Sequence, residues 1–374
     1  MCFLLLLLFF PPFPRYLCKS NPALVDSFES SLFAVFQQML SMESAAEFSP
    51  YVFQLLAQLL EFRSNEKPFS TGFVNIFPSI LIPSLWLNQG NVPALTRLLQ
   101  AYLCKPTAWE TFFVGNNRFN GVLGIFQELL RLRATEGYGL DLLTSIIVDL
   151  DLKHTNSSVI VAFSNLLFPK LQPTAKPTPR LFQKTVILFL AFIAKYKFDT
   201  VKMMLDQIQP NIFGMLFDKI VLANVHFLNT EIERKLGAIV LTDLTNHPVF
   251  LNDPLYHGLW SRTVLNAAKL VSPKESKAVA GSGLAGSSTL PTDEEDPDDL
   301  LSQSDKGFST AYARLIFAAV PDRDYVAHVT QPPKEYVKQH VGAILAQHQD
   351  KLGRLLGALP QPDQALIQKV LQGQ

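Results

Sequence analysis

The chain has 374 residues, and its 32 Lys and Arg balance 32 Asp and Glu, so it lacks the basic excess that phosphate backbones require, which argues against a nucleic-acid ligand. Hydrophobic residues make up 48% and charged residues only 17%, below the roughly 25% of an average soluble protein. Much of the chain is therefore expected to be buried or to need a partner. Three cysteines, Cys2, Cys18 and Cys104, share no metal-like spacing and cannot all pair, which points to a reducing compartment and no structural zinc.

Met1 to Phe10 are nearly all Leu and Phe, and Pro11, Pro12 and Pro14 follow. No basic residue precedes the run and no small-residue cleavage site closes it. About ten residues also fall short of the about 20 that span a bilayer. The segment is expected to be a start foreign to the rest of the chain rather than a targeting signal. The competing expectation is a membrane-associated or secreted helical scaffold led by this segment.

From about Asp26 the sequence predicts one amphipathic helix after another. They fall near 26–42, 47–62, 69–86, 91–104, 119–133, 137–150, 157–169, 180–196, 198–208, 211–226, 229–245 and 255–270. Val52, Leu55, Leu56, Leu59 and Phe62 keep helical spacing, and Phe48, Phe53 and Leu60 widen the stripe. Val92, Leu95, Leu98, Leu99 and Leu103 do the same after Asn91 and Pro93, a helix start signal. Thr230-Glu231-Ile232-Glu233 has capping-box spacing ahead of Leu236, Ile239, Val240 and Leu244. Val186 to Ala194 is apolar on every side, which predicts a central helix of the stack. Paired in order, the helices recur at about 40–47 residues, the period of HEAT-type repeats. A single hairpin cannot bury its own apolar face, so the fold class expected is an all-α HEAT-repeat superhelix, a solenoid whose usual work is to hold other proteins.

At Val271 the composition changes, and Ser272 to Asp305 is rich in Ser, Gly and acids. It is expected to be a disordered loop. Phe308, Tyr312, Leu315 and Ile316 resume helical spacing, and weaker helices follow at 333–358 and 363–372. The organisation read from sequence is thus an apolar segment at 1–20, a solenoid at 21–271, an acidic Gly- and Ser-rich loop at 272–306 and terminal helices at 307–374.

Several blocks go beyond periodicity. Phe48-Ser49-Pro50-Tyr51-Val52-Phe53-Gln54, the run from Phe77 through Leu85-Trp86 to Gly90-Asn91-Val92-Pro93-Ala94-Leu95, with Arg97-Leu98-Leu99-Gln100-Ala101 after it, and Ile208-Gln209-Pro210-Asn211-Ile212-Phe213-Gly214-Met215 carry a family resemblance. So does Gly307-Phe308-Ser309-Thr310-Ala311-Tyr312-Ala313-Arg314-Leu315. In that order they resemble the C-terminal part of the CAS-type importin-alpha re-exporters of the importin-beta superfamily. The resemblance covers about Cys18 to Phe317, without Met1–Leu17 and without the region after Asp322. It implies a HEAT superhelix that shuttles between nucleus and cytoplasm and wraps importin-alpha together with Ran-GTP. The family's N-terminal half, which carries the main Ran-binding surface, has no counterpart in this sequence. What the resemblance implies here is the cargo-embracing C-terminal arch, without catalysis or cofactor.

The residues themselves offer little chemistry. Gly281-Ser282-Gly283-Leu284-Ala285-Gly286 fits a dinucleotide-binding pattern, but no strand precedes it and no helix follows, so it reads as linker. His154, His226, His247, His257, His328, His340 and His348 form no metal pair, and His247 and His257 are read as capping or packing residues. Asn156-Ser157-Ser158 fits the glycosylation acceptor by chance-level pattern alone. No nucleophile elbow is present and no enzyme is expected. Asp293, Glu294, Glu295, Asp296, Asp298 and Asp299 form a dense acidic run, either simply solvated or a contact for a basic partner. The resemblance identifies such a partner, the Arg- and Lys-rich autoinhibitory segment of importin-alpha. Trp109, Phe112 and Phe113 are weighed as exposed anchors against ordinary core.

Overall fold

The computed structural model describes residues 18, 20, 21, 23–273 and 323–373, and every regular element among them is helical, with no strand. The apolar run Met1–Phe10, the glycine string, the acidic run Asp293–Asp299 and Phe308–Ile316 lie outside the described residues.

The helices follow in chain order. α1 is Leu24–Ser41, α2 Ser49–Phe62, α3 Thr71–Ile80, α4 Pro83–Leu87 and α5 Val92–Leu103. Next come α6 Ala108–Phe112, α7 Arg118–Leu129, α8 Arg133–Asp149, α9 Leu152–Val161 and α10 Phe168–Leu171. Then α11 is Pro179–Asp206, α12 Ile212–Leu216, α13 Glu231–Thr245, α14 Pro248–Asn252 and α15 Pro254–Val271. α16 Pro333–Gln347, α17 Gln349–Gly357 and α18 Gln361–Gln372 complete the described residues.

Proline opens many of these helices, at Pro50, Pro83, Pro93, Pro179, Pro248, Pro254 and Pro333. It costs nothing there because the first turn has no partner for its missing N–H. Side-chain caps fix several starts as well. The Thr178 hydroxyl accepts from the Leu181 amide at 3.0 Å, and Asp253 accepts from the Leu255 amide at 3.0 Å. The capping box at Thr230 and Glu233 is fully formed.

Packing runs in series. α2 lies against α5, α5 against α8, α8 against α11, and α11 against α13, so these five helices line one side of the stack. α13 then packs on α15 and α16, and α18 closes against both of those. The all-round apolar stretch is placed as its composition demands: Val186 to Ile193 are all buried in the middle of α11. Leu55, Leu59, Leu98, Phe189, Ile193, Leu236 and Val240 all belong to the continuous core.

Element boundaries differ from the sequence reading where proline or a backbone irregularity intervenes. The helix expected at 69–86 is two, because Ile82, just ahead of Pro83, is held in an extended conformation and Pro83 begins a new helix. The helix at 333–358 breaks at His348, whose φ of −131° and ψ of 38° are not helical. The expected gap between 196 and 198 is real, but it is a single residue, Lys197 with φ 67° and ψ 161°, within α11. The helix read at 157–169 starts earlier, at Leu152, and passes through a π-turn at Ala162–Leu167. A second π-turn, Phe217–Leu222, extends α12. Phe48 is 39% exposed rather than part of the buried stripe. Asn91 precedes α5 without capping it, and its amide donates to the Leu85 carbonyl at 3.1 Å instead.

Candidate functional site on the inner helices

Each helix of the α2–α5–α8–α11–α13 series carries a few charged or amide residues among its apolar ones, and these meet across helices. The Arg97 guanidinium of α5 grips the Glu61 carboxylate of α2 with two hydrogen bonds of 2.7 Å, although the Arg97 side chain is only 4% exposed. Gln100, one turn on, donates to the Ser145 hydroxyl of α8 at 2.9 Å and to the Asp141 carbonyl at 3.1 Å. Lys184 of α11 pairs with the Asp141 carboxylate at 2.9 Å. The Gln183 amide donates to both oxygens of Glu233 in α13 at 3.0 Å, while Glu233 also accepts from the Asn229 and Thr230 amides.

These pairs form a polar ladder whose rungs link positions 36, 45 and 50 residues apart, and Arg63 reaches Glu29 over 34. Rung spacing therefore follows the hairpin repeat, which is less uniform than the period of 40–47 read from sequence. The electrostatics are those of desolvated but paired groups. Burial pushes the Asp141 carboxyl above the usual carboxylate range, with the Lys184 ammonium opposing it. Burial likewise lowers the Lys105 ammonium, which donates to the Arg63 carbonyl and to Asn65 Oδ1.

Glu61, Arg97, Gln100, Asp141, Lys184 and Glu233 line a cavity of about 350 Å³, together with Ile187, Ile232 and Leu236. Arg323 and Tyr325 reach this cavity from the far end of the chain. The Arg323 guanidinium donates to Asp149 Oδ2 at 2.6 Å, and its hydrogen bonds to that carboxylate hold it still more firmly protonated. Cys104 lines the same cavity and is accessible there, yet the surrounding protein pushes its thiol up and the Asp149 charge adds to this. Among the described residues no three His, Cys, Asp or Glu converge as metal ligands. The ladder is a row of mutually paired, largely buried charged and amide side chains bordering this cavity.

The residues singled out from sequence lie elsewhere. Phe112 and Phe113 are buried, and Trp109 packs between Phe113, Phe119 and the stacked His154 ring at 4.5 Å. Of the two readings weighed for them, ordinary core packing is the one observed. His247 caps α14, its Nδ1 accepting from the Val249 amide at 3.3 Å, and its ring packs on Phe198. His257 sits near the start of α15, capped by Asp253 instead. Sequence reasoning did not bring the ladder residues together, because Glu61 and Arg97 are single charges in apolar helices and Asp141, Lys184 and Glu233 look like ordinary polar positions of theirs. The signal was their recurrence at the repeat period.

Helical hairpins stacked in series, with one helix of each supplying a polar inner ladder, define a HEAT-type solenoid. The chain belongs to the CAS/CSE family: the family model for the C-terminus of CAS/CSE proteins matches residues 12–370. That match runs past Asp322 to the terminal helices and begins before Cys18, extending the sequence resemblance at both ends. Exportin-2 of Danio rerio is 34% identical over 334 residues, and exportin-2 of Homo sapiens 32% over 329. In both cases 87% of this chain aligns to 31% of the relative, so the chain spans about a third of the length of these relatives. A solved structure titled "The exportin Cse1 in its cargo-free, cytoplasmic state" superposes with a TM-score of 0.67 at 21% identity. It covers 92% of this chain and 33% of that one, and establishes the shared fold.

Proposed function

We propose that this chain is the C-terminal, cargo-embracing arch of a nuclear export receptor that carries importin-alpha to the cytoplasm together with Ran-GTP, shuttling between the two compartments. Family membership across residues 12–370 supports this reading. The inner ladder supplies the means, since a rigid solenoid face with fixed charges recognises a folded partner by complementarity rather than by chemistry on it. In this reading the organisation is the one drawn from sequence, a solenoid at 21–271, a linker at 272–306 and terminal helices at 307–374. The acidic residues Asp293, Glu294, Glu295, Asp296, Asp298 and Asp299 speed the approach of a basic segment of importin-alpha.

The alternative of a membrane-associated scaffold gains no observation. Among the described residues no helix is long and apolar enough to cross a membrane.

The test is binding of the chain to immobilised importin-alpha at two salt concentrations, with and without Ran-GTP. Separating one of two linked contact regions forfeits an avidity gain of about 10²–10⁴. The expected result is micromolar binding that is insensitive to Ran-GTP. Replacing the six acids by Asn or Gln should slow association at low salt, where exposed charges act over about 10 Å. Absence of any binding at tens of micromolar would overturn the proposal.

A further inference from the structure

The segment after Arg323 joins parts of the solenoid that its own neighbours do not. Asp149 ends α8, while Lys235 and Asp243 lie on α13, and α11 packs between those two helices. Arg323 binds Asp149 across 174 residues of sequence, and Asp324 pairs with Lys235 at 2.8 Å across 89. The Tyr336 hydroxyl donates to Asp243 at 2.6 Å. Between these links Val326 is 1% exposed, and Val337, Val341 and Ile344 of α16 are in the core.

We propose that Arg323–Val326 is a releasable strap that ties two non-adjacent repeats together over the inner groove, with the Arg323–Asp149 pair as its clasp. Two physical asymmetries make it a two-state device. Past Val326 the attachment is mainly apolar burial, whereas the end at Arg323 and Asp324 is held by two ion pairs in which the strap's own side chains, Arg323 and Asp324, are 42% and 29% exposed. Such pairs yield to competing charge. On the other side of the clasp, Asp149 is only 5% exposed, so an open strap leaves a nearly buried carboxylate without its cation. The strap is therefore closed by default and opens when another basic side chain takes the place of Arg323. Opening frees the curvature between α8 and α13 and widens access to the cavity lined by Cys104, Arg323 and Tyr325.

Cys104 is the reporter. Maleimide labelling of the full chain is followed on the Cys104 peptide by mass spectrometry for wild type, Arg323→Gln, Asp149→Asn and the exchanged pair Arg323→Asp with Asp149→Arg. The Cys104 thiol is already exposed with the strap closed, so a releasing strap predicts that both single variants label faster, by less than the roughly tenfold ceiling set by losing one charge-assisted pair. The exchanged pair should return toward the wild-type rate. If the thiol feels only local charge, removing the cation slows labelling and removing the anion speeds it, and opposite signs would overturn the proposal. So would unchanged rates. Hydrogen exchange on the same variants should accelerate at Arg323–Tyr325 and leave α16, α1 and α2 as in wild type. Equal acceleration at α1 and α2 would show a general loss of fold and count against a strap.

Discussion

Lys197 occupies a backbone region that is essentially reserved for glycine, at φ 67° and ψ 161°, and a non-glycine residue there costs about 1–3 kcal/mol. Lys197→Gly should therefore stabilise the chain, by about 1 kcal/mol after the entropy of the added glycine is set against the relieved strain, as chemical denaturation would show. Position 197 was legible as a break between two helices. That the break is one strained lysine was not, because strain arises from packing on both sides of it. Asp141 gives a pH signature. Its carboxyl is raised in the folded state, so its contribution to stability is fully present below the unfolded value of ~3.9 and is lost as pH rises through the folded value. Asp141→Asn removes this slope, and the variant should gain on wild type as pH is raised from 4 to 7 in parallel melts. The Arg97–Glu61 rung tests burial of charge. Arg97→Ala leaves the partly exposed Glu61 carboxylate without its cation and should cost about 3 kcal/mol, the low end for a broken buried pair because Glu61 retains 27% exposure.

At the scale of elements, helix identity was read well where a start signal and an apolar stripe coincide, as at Thr230 and through Val186–Ile193. Boundaries were read poorly where the sequence signal is equivocal. Pro78 resembles any helix-opening proline, yet it sits inside α3. The π-turn at Ala162–Leu167 adds a residue that no local composition announces. Short α6 escaped notice because five residues carry too little periodicity, although its Phe112 is fully buried. One close approach is diagnostic of hairpin packing. A Cβ on Gly72 of α3 would sit 2.5 Å from Cδ1 of the Phe33 ring in α1. Alanine would gain about 0.5–1 kcal/mol in helix propensity, but forcing the ring aside in a filled core costs about 1–3. Gly72→Ala should be net destabilising, and the tight ring pair of Phe33 and Phe73, with centroids 4.9 Å apart, leaves little room for relief.

For the whole molecule, the solenoid was legible because its cause is repetitive: every hairpin has an apolar face that only a neighbour can cover. The inner ladder was not, because a pair such as Gln183 with Glu233 exists only once the pitch of the stack sets two helices side by side. Leu59→Ala and Leu236→Ala empty core positions that are each 2% exposed, in repeats far apart along the stack. Each should cost about 2–5 kcal/mol. In a quasi-linear array the loss should be felt mainly by the mutated hairpin and its neighbours, so hydrogen exchange is expected to speed in separate regions for the two variants.

The three indoles of this chain are spaced so that each reads out a different stretch of the array. Trp86 donates from Nε1 to the Ile80 carbonyl at 2.8 Å in the α3–α4 turn, and Trp260 donates to the Thr245 carbonyl at 2.9 Å, both almost wholly buried. Trp109 instead lies face to face with the His154 ring, at an interplanar angle of 12°. Variants that keep a single tryptophan thus carry an intrinsic optical probe in one of two adjoining early hairpins, at Trp86 or Trp109, or toward the rear of the stack at Trp260. If the molecule melts as one cooperative body, the three urea curves coincide. A nearest-neighbour array frays in blocks, and the three midpoints are expected to separate.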